Sequence, residues 1–406
     1  MLCAIAVAPP ANAQWTQFRA NASNNAVVDG RLSVQWEAAT DGRISASPTF
    51  ANGVVYVGTN AGTLYAIRVN DGRVIWKHHV GNALMSAPLL YRGTVIVGEG
   101  NEDTPNPQGG APVHVGTGRS ALIAFDRRTG AIRWIADLHG TGMPTPAIVA
   151  GVLVHHDGSG RITGLDPMTG HLLYERNIHS VASMSAALPI GQDSFVTSGV
   201  LANAVWRVDA RTGRIEWKSS AFSQTASGIG DCPMASDGAR LFGEYVVPQG
   251  GSAVSAIGQN SSVHAYALDA RTGALVWDAP LEDGPLPINN EAAIPVVHKG
   301  VLYVGSAAAP WVNAIDAKSG RVIWRKKIYG PVKGALSVKE GVVYFGDLAG
   351  YLWALRARDG MQIGAKSMPT SFNVGSGIVV GGTLIIGSFT GSVYAVPLES
   401  IRDSRI

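Results

Sequence analysis

Short apolar runs, in which β-branched and small residues alternate, fill most of this chain, and each is broken by a turn containing Gly or Asp. Such runs suit strands packed face to face, so almost no helix is expected. One stretch shows the unit clearly. Gly334-Ala335-Leu336-Ser337-Val338 reads as an inner strand and Gly341-Val342-Val343-Tyr344-Phe345-Gly346 as a second. Tyr351-Leu352-Trp353-Ala354-Leu355 is the third and Met361-Gln362-Ile363 the outer one. The breaks are turn chemistry: Lys339-Glu340-Gly341, Leu348-Ala349-Gly350 and Arg358-Asp359-Gly360.

The unit recurs. A small residue or Asp, then Gly, then an aromatic four residues later appears as Asp71-Gly72…Trp76, Thr129-Gly130…Trp134, Thr169-Gly170…Tyr174, Thr212-Gly213…Trp217, Thr272-Gly273…Trp277 and Ser319-Gly320…Trp324, with a worn copy at Asp359-Gly360…Gly364. With Trp36 added, the positions 36, 76, 134, 174, 217, 277, 324 and 364 are separated by steps of 40, 58, 40, 43, 60, 47 and 40. The shortest step matches one four-stranded propeller blade. The last unit stops after Ser392-Val393-Tyr394-Ala395-Val396, a third strand without an outer partner, while the strand at Trp36 has no inner strands upstream. Pairing these ends predicts an all-β, eight-bladed β-propeller of four-stranded antiparallel blades, closed by the strand around Trp36. The repeated Gly takes the positive-φ place in the turn between third and outer strands, and the aromatic packs between neighbouring blades.

Composition narrows the class. At 406 residues, 46% hydrophobic and 15% charged, the chain has ample core for one domain at 14–400, with 401–406 as a tail. A net charge of +3 with no basic, aromatic-interleaved cluster argues against nucleic acid. No long apolar run argues for a membrane span, and a ring with no unpaired edges is expected as a monomer. Residues 1–13 resemble the end of a secretory signal: Met1-Leu2-Cys3-Ala4-Ile5-Ala6-Val7-Ala8 is apolar, and Ala11-Asn12-Ala13 is a small-x-small cleavage site. A periplasmic or secreted location follows as an expectation. Cys232 is then the lone thiol, so no internal disulfide forms.

Candidate chemistry gathers where each inner strand begins, because these starts ring the central channel. Aligned, they are Ser45-Ala46-Ser47-Pro48, Met85-Ser86-Ala87-Pro88, Met143-Pro144-Thr145-Pro146, Met184-Ser185-Ala186-Ala187, Gly230-Asp231-Cys232-Pro233, Glu291-Ala292-Ala293-Ile294, Lys333-Gly334-Ala335-Leu336 and Val374-Gly375-Ser376-Gly377. Asp231, Glu291 and Lys333 fall at or beside the first place in three consecutive blades, with Asn289 and Asn290 close by. Two carboxylates and amide oxygens are a Ca²⁺ donor set, and the lysine could pair with a quinone oxygen or carboxylate. Alternatively, these are polar rim residues. Cys232 in the small third slot reads as a buried thiol. Met85, Met143 and Met184 share a slot and follow His79, His139 and His179, which is either a soft-metal set or plain packing. His155-His156 closes a second strand without an obvious third ligand. Long insertions at 101–118 and 247–262, and a shorter one at 283–287, are where a binding surface would be built.

The units Ala314-Ile315-Asp316-Ala317-Lys318-Ser319-Gly320-Arg321-Val322-Ile323-Trp324 and Leu268-Asp269-Ala270-Arg271-Thr272-Gly273-Ala274-Leu275-Val276-Trp277 resemble the tryptophan-docking repeat of pyrroloquinoline-quinone (PQQ) type propellers. The opening Trp15-Thr16-Gln17-Phe18-Arg19 is similar to a segment common in that family. The resemblance covers residues 15–398 and implies one of two branches. In a cofactor-free branch, exemplified by the propeller subunit of the outer-membrane barrel-assembly machinery, the protein would be an exported scaffold holding a protein partner in the cell envelope. In the quinoprotein dehydrogenase branch, PQQ and Ca²⁺ would serve oxidation of a small alcohol or sugar. There Asp231 would be the base, Glu291 and Asn290 calcium ligands with Asp231 nearby, and Lys333 the quinone partner. The adjacent cysteines expected beneath a quinone ring are absent from the sequence, which favours the scaffold branch.

Overall fold

The computed structural model describes residues 15–102, 116–200, 203–219, 221–222, 228–249, 260–285 and 292–405. Eight antiparallel meanders fill them, numbered here as blades 1 to 8. Blade 1 comprises Thr49–Ala51, Val54–Gly58, Thr63–Arg68 and Val74–His79, from innermost to outermost strand. The same order repeats at 89–137, 147–177, 188–219, 235–285, 296–327 and 337–367. Blade 8 is made from both ends of the chain: Ile378–Val380, Thr383–Gly387 and Ser392–Pro397 are joined by Trp36–Ala39, with Trp36 opposite Ala395 and Ala39 opposite Ser392. The expected closure is observed. Val27–Val28 adds a parallel fifth strand to the inside of this blade.

The recurring motif has one geometry throughout. Gly320 sits at φ +74°, and a Cβ there would lie 2.8 Å from the Trp277 ring; Gly273 stands in the same relation to Trp217, Gly130 to Trp76 and Gly72 to Trp36. Each aromatic of one blade therefore lies flat on the turn of the next, where only glycine leaves room. The indole N–H groups then donate to main-chain carbonyls beside that turn: Trp36 to Val69, Trp76 to Arg127, Trp277 to Ala317 and Trp324 to Ala357, at 2.7–3.1 Å. In blades 2 to 6 an aspartate opens the turn and caps it. Asp209 accepts from the amides of Arg211 and Thr212 and from the Thr212 hydroxyl, which hold its carboxyl below the usual range. Gly364, the worn copy, has its own explanation. A Cβ there would lie 2.2 Å from the carbonyl oxygen of Ile401, because the helix Leu398–Arg402 covers the place an aromatic would take. Ile401 is fully buried, so part of the expected tail belongs to the wheel.

A second tie crosses the far end of the channel. Residues 15–28 run over the inner strands and accept from their amides: Leu90 donates to the Trp15 carbonyl, Ile148 to Thr16, Ser236 to Ala22, Val297 to Ser23 and Val379 to Ala26. Val338 donates to the Asn25 side chain. Six blades are tied in this way. In blade 4 the matching position is Pro189, which has no N–H to give. Arg19 anchors the strap. It is 1% exposed, and its guanidinium donates to the carbonyls of Asn24, Leu336 and Gly377 and to the Ser337 hydroxyl at 2.6–3.0 Å.

The docking geometry makes a paired prediction. Gly320 and Gly341 have nearly the same φ, +74° and +76°, but a Cβ at Gly341 meets nothing within 4 Å. Both alanine variants carry the backbone strain of about 1–2 kcal/mol, and only Gly320→Ala also displaces Trp277. Urea unfolding should show Gly320→Ala less stable than Gly341→Ala by roughly 1 kcal/mol or more. Equal losses would contradict the docking role.

Candidate functional site at the channel mouth

The meander decides which residues share a face. The connections from an outer strand to the next inner strand, and the hairpins between second and third strands, lie at one end of every blade; the glycine turns lie at the other. Asp231 and Lys333 precede the inner strands of blades 5 and 7, so both stand at the mouth of the channel. The same face carries the hairpin of blade 5, whose second, third and outer strands run nine, ten and eleven residues. Elsewhere among the described residues no strand exceeds six. The described base of the blade 5 insertion therefore lies on the same face as Asp231 and Lys333.

Asp231 and Lys333 are both buried, 7% and 5% exposed. Both are close enough to act on Cys232, which donates to the Ala292 carbonyl at 2.8 Å. Burial pushes the Cys232 thiol well above its usual range; the Asp231 and Glu244 carboxylates push it further, and Lys333 opposes them. A thiol held protonated is no nucleophile, and the expected buried role fits. Asn290 and Glu291, with Asn289, lie outside the described residues. In blade 6 Ala292 shares the cluster around Phe18, while Ala293 packs in the neighbouring interface and donates to Glu244. The inner-strand alignment is thus one residue out of step there.

Just inside the mouth the axis is filled. Phe18, carried by the strap, shares a buried cluster with Ala87, Ala186, Cys232, Ala292 and Ala335. The cavity left between Phe18, Met85, Met184 and Cys232 is about 10 Å³. That is room for about one water, and a three-ring quinone does not fit at this tier. Phe18 and Arg19 were not singled out as functional from sequence, since Phe18 packs on small side chains of several distant blades and Arg19 is held largely by main-chain carbonyls of distant segments.

The methionine and histidine sets separate in space. Met85 and Met143 pack with Ala83, and Met184 lies against them. His79, His139 and His179 stand exposed at the outer ends of outer strands, His79 beside the Thr63 hydroxyl and His139 on Glu175 at 3.3 Å. Packing, the alternative to a soft-metal set, is the arrangement observed. Among the described residues no three His, Cys, Asp or Glu side chains gather to hold a metal.

His155 and His156 are buried on the second strand of blade 3. His155 Nε2 meets the Pro144 carbonyl, and His156 meets the Thr197 hydroxyl and the Ser180 carbonyl. Burial lowers both to about 4, against the raising effect of Asp157. A depressed folded pKa means that the unfolded chain takes protons the folded chain refuses. Their contribution to stability is whole above 6.5 and is lost as pH falls toward 4. The melting temperature should drop across that window, and His155→Gln should flatten the drop. Parallel curves for both proteins would contradict this.

Comparison with known proteins agrees with this geometry. A family model described as outer membrane protein assembly factor BamB matches residues 27–231, 118–265 and 259–400. Tetrathionate hydrolase of Acidithiobacillus ferrooxidans is 27% identical over 241 residues, covering 57% of this chain and 47% of that protein. Outer membrane protein assembly factor BamB of Yersinia pestis is 24% identical over 188 residues, 43% of each. The chain thus spans about half the length of these curated relatives. Among solved structures, BamB from Moraxella catarrhalis superposes with a TM-score of 0.65 at 16% identity, over 90% of this chain and 99% of that one. Quinohemoprotein alcohol dehydrogenase from Comamonas testosteroni gives 0.66 at 13% identity, over 95% and 80%. At these identities the structural likeness speaks for the fold. No helix among the described residues is long and apolar enough to cross a membrane.

Proposed function

Since the chain belongs to the PQQ-repeat propeller family whose model is described as outer membrane protein assembly factor BamB, we propose that it is an exported, non-catalytic scaffold that holds a protein partner in the cell envelope. One observation carries this reading. The axis is packed by Phe18, Met85 and Met184, while the extended hairpin of blade 5 builds out the mouth face. A wheel with a filled hub and one elaborated face offers area for a protein more readily than depth for a small molecule. The names of several relatives supply the class of partner, a component of outer-membrane protein assembly. Residues 1–13 would act as the export signal and be removed.

A second reading is favoured by the burial of Asp231 and Lys333 at the mouth, and by the likeness to tetrathionate hydrolase. In it the mouth is catalytic, with Asp231 as proton acceptor and Lys333 positioning an anionic or carbonyl oxygen. Asn290 and Glu291 would join them if Ca²⁺ and PQQ are used.

Two assays separate the readings. Replacing residues 249–260 of the blade 5 hairpin by an Asn-Gly turn should weaken binding to a purified outer-membrane barrel-assembly component at least roughly tenfold, with the melting temperature nearly unchanged. In parallel, the intact protein is supplied with tetrathionate, or with PQQ, Ca²⁺ and an alcohol plus a dye. Turnover that disappears in Asp231→Ala, with no partner bound, would replace the scaffold reading by the catalytic one.

A further inference from the structure

Glu244 is a charged residue in the middle of an apolar run, Leu241-Phe242-Gly243-Glu244-Tyr245-Val246, on the second strand of blade 5. It is 3% exposed and points into the interface with blade 6. Glu282, from the lengthened outer strand of blade 5, reaches the same interface past a register shift between Ser262 and His264. From blade 6 comes Asn313, fully buried, whose amide donates to Glu282 Oε2 at 3.2 Å. Apolar residues wall the site, among them Val246, Val263, Val304 and Ala308.

Polar bookkeeping here does not close. Glu244 Oε1 accepts from the Ala293 amide at 2.8 Å and the Ala307 amide also favours the ionised carboxyl, but Glu244 Oε2 makes no hydrogen bond of its own. Glu282 Oε1 and Asn313 Oδ1 are likewise buried and unpartnered. All three orphans are acceptors. The two carboxylates repel, each held above its ordinary range first by burial. The Ser306 hydroxyl and the Asn313 amide favour ionised Glu282, as does Arg325, the one cation acting on either carboxyl among the described residues, which also donates to the Pro280 carbonyl. One proton shared between the carboxyls would leave Asn313 Oδ1 to a separate water, and neither the proton nor one water alone covers all three acceptors. A hard cation satisfies three oxygens at once and cancels the charge.

We propose that Glu244, Glu282 and Asn313 form a site for a divalent cation of the Ca²⁺ class that clamps blade 5 to blade 6. It uses none of the calcium ligands expected from the sequence at the channel mouth, Asp231, Asn290 and Glu291. Its effect is to stiffen the base of the extended hairpin, since Glu282 lies on the outer strand of that same hairpin. Half-buried Glu282 is the entry side.

The test uses the full chain stripped with EDTA. Tb³⁺ luminescence sensitised by Trp277, which belongs to the same buried cluster, is read together with competition by Ca²⁺ and with thermal melts. Saturable binding is expected, with a higher melting temperature in millimolar Ca²⁺. Glu282→Gln should weaken binding at least roughly tenfold, and Asp231→Asn should leave it intact. Binding lost in Asp231→Asn but kept in Glu282→Gln would assign the ion to the mouth and overturn the proposal. So would the absence of binding at millimolar Ca²⁺; a Glu282→Gln melting temperature less sensitive to pH than that of the parent would then point to a shared proton. Asn313→Ala, which removes no charge, provides the same comparison should Glu282→Gln fail to fold.

Discussion

A ring of blades has no centre of its own, and here the N-terminal strap supplies one. Arg19 is buried without a carboxylate partner and is held by carbonyl oxygens of its own strap and of blades 7 and 8. A guanidinium in such a place would be costly if any of its donors were left unpaired. The strap must therefore lie in one register, and that register puts Phe18 on the axis. Filling the hub, tying six inner strands and closing the channel are consequences of one seated side chain.

Around that hub the wheel is held by contacts of one kind, each an aromatic face on a glycine turn, and at Trp36, Trp76, Trp134, Trp277 and Trp324 the indole N–H is satisfied beyond it. Removing one such ring from a buried interface typically costs about 3–5 kcal/mol, so the wheel has little tolerance at these positions. Blade 7 departs from the pattern at Gly364, and the C-terminal helix fills the gap through Leu398 and Ile401. Both ends of the chain thus complete the circle, one as the outer strand of blade 8 and the other as a cover for blade 7.

The blades and their closure were legible because both depend on local signals, a turn aspartate, a glycine and an aromatic at fixed spacing. The strap was not, although its opening residues were noticed, because it is recognised through main-chain amides that no side-chain pattern announces. The methionines pack together, as one of the two sequence readings had it, and the histidines stand apart for a geometric reason. Residues six places apart in sequence, such as His79 and Met85, are separated by the whole width of a blade when one ends an outer strand and the other begins an inner one. Asp231 and Lys333 were placed at the mouth correctly by alignment. Glu244 left a trace in the sequence, a carboxylate inside an apolar run, but its partners Glu282 and Asn313 come from an enlarged strand and from the next blade.

The proposed function uses the mouth face, which the strap does not cross. The same wheel supports a protein-binding rim or a shallow catalytic mouth, and the packed axis weighs toward the rim. Deleting residues 15–28 while keeping Trp36–Ala39 asks whether the hub is what holds the wheel. If it is, the shortened protein melts several degrees lower and opens its inner strands to hydrogen exchange in blades 2, 3 and 5 to 8 before blade 4. An unchanged melting curve with uniform protection would contradict the central role of the strap.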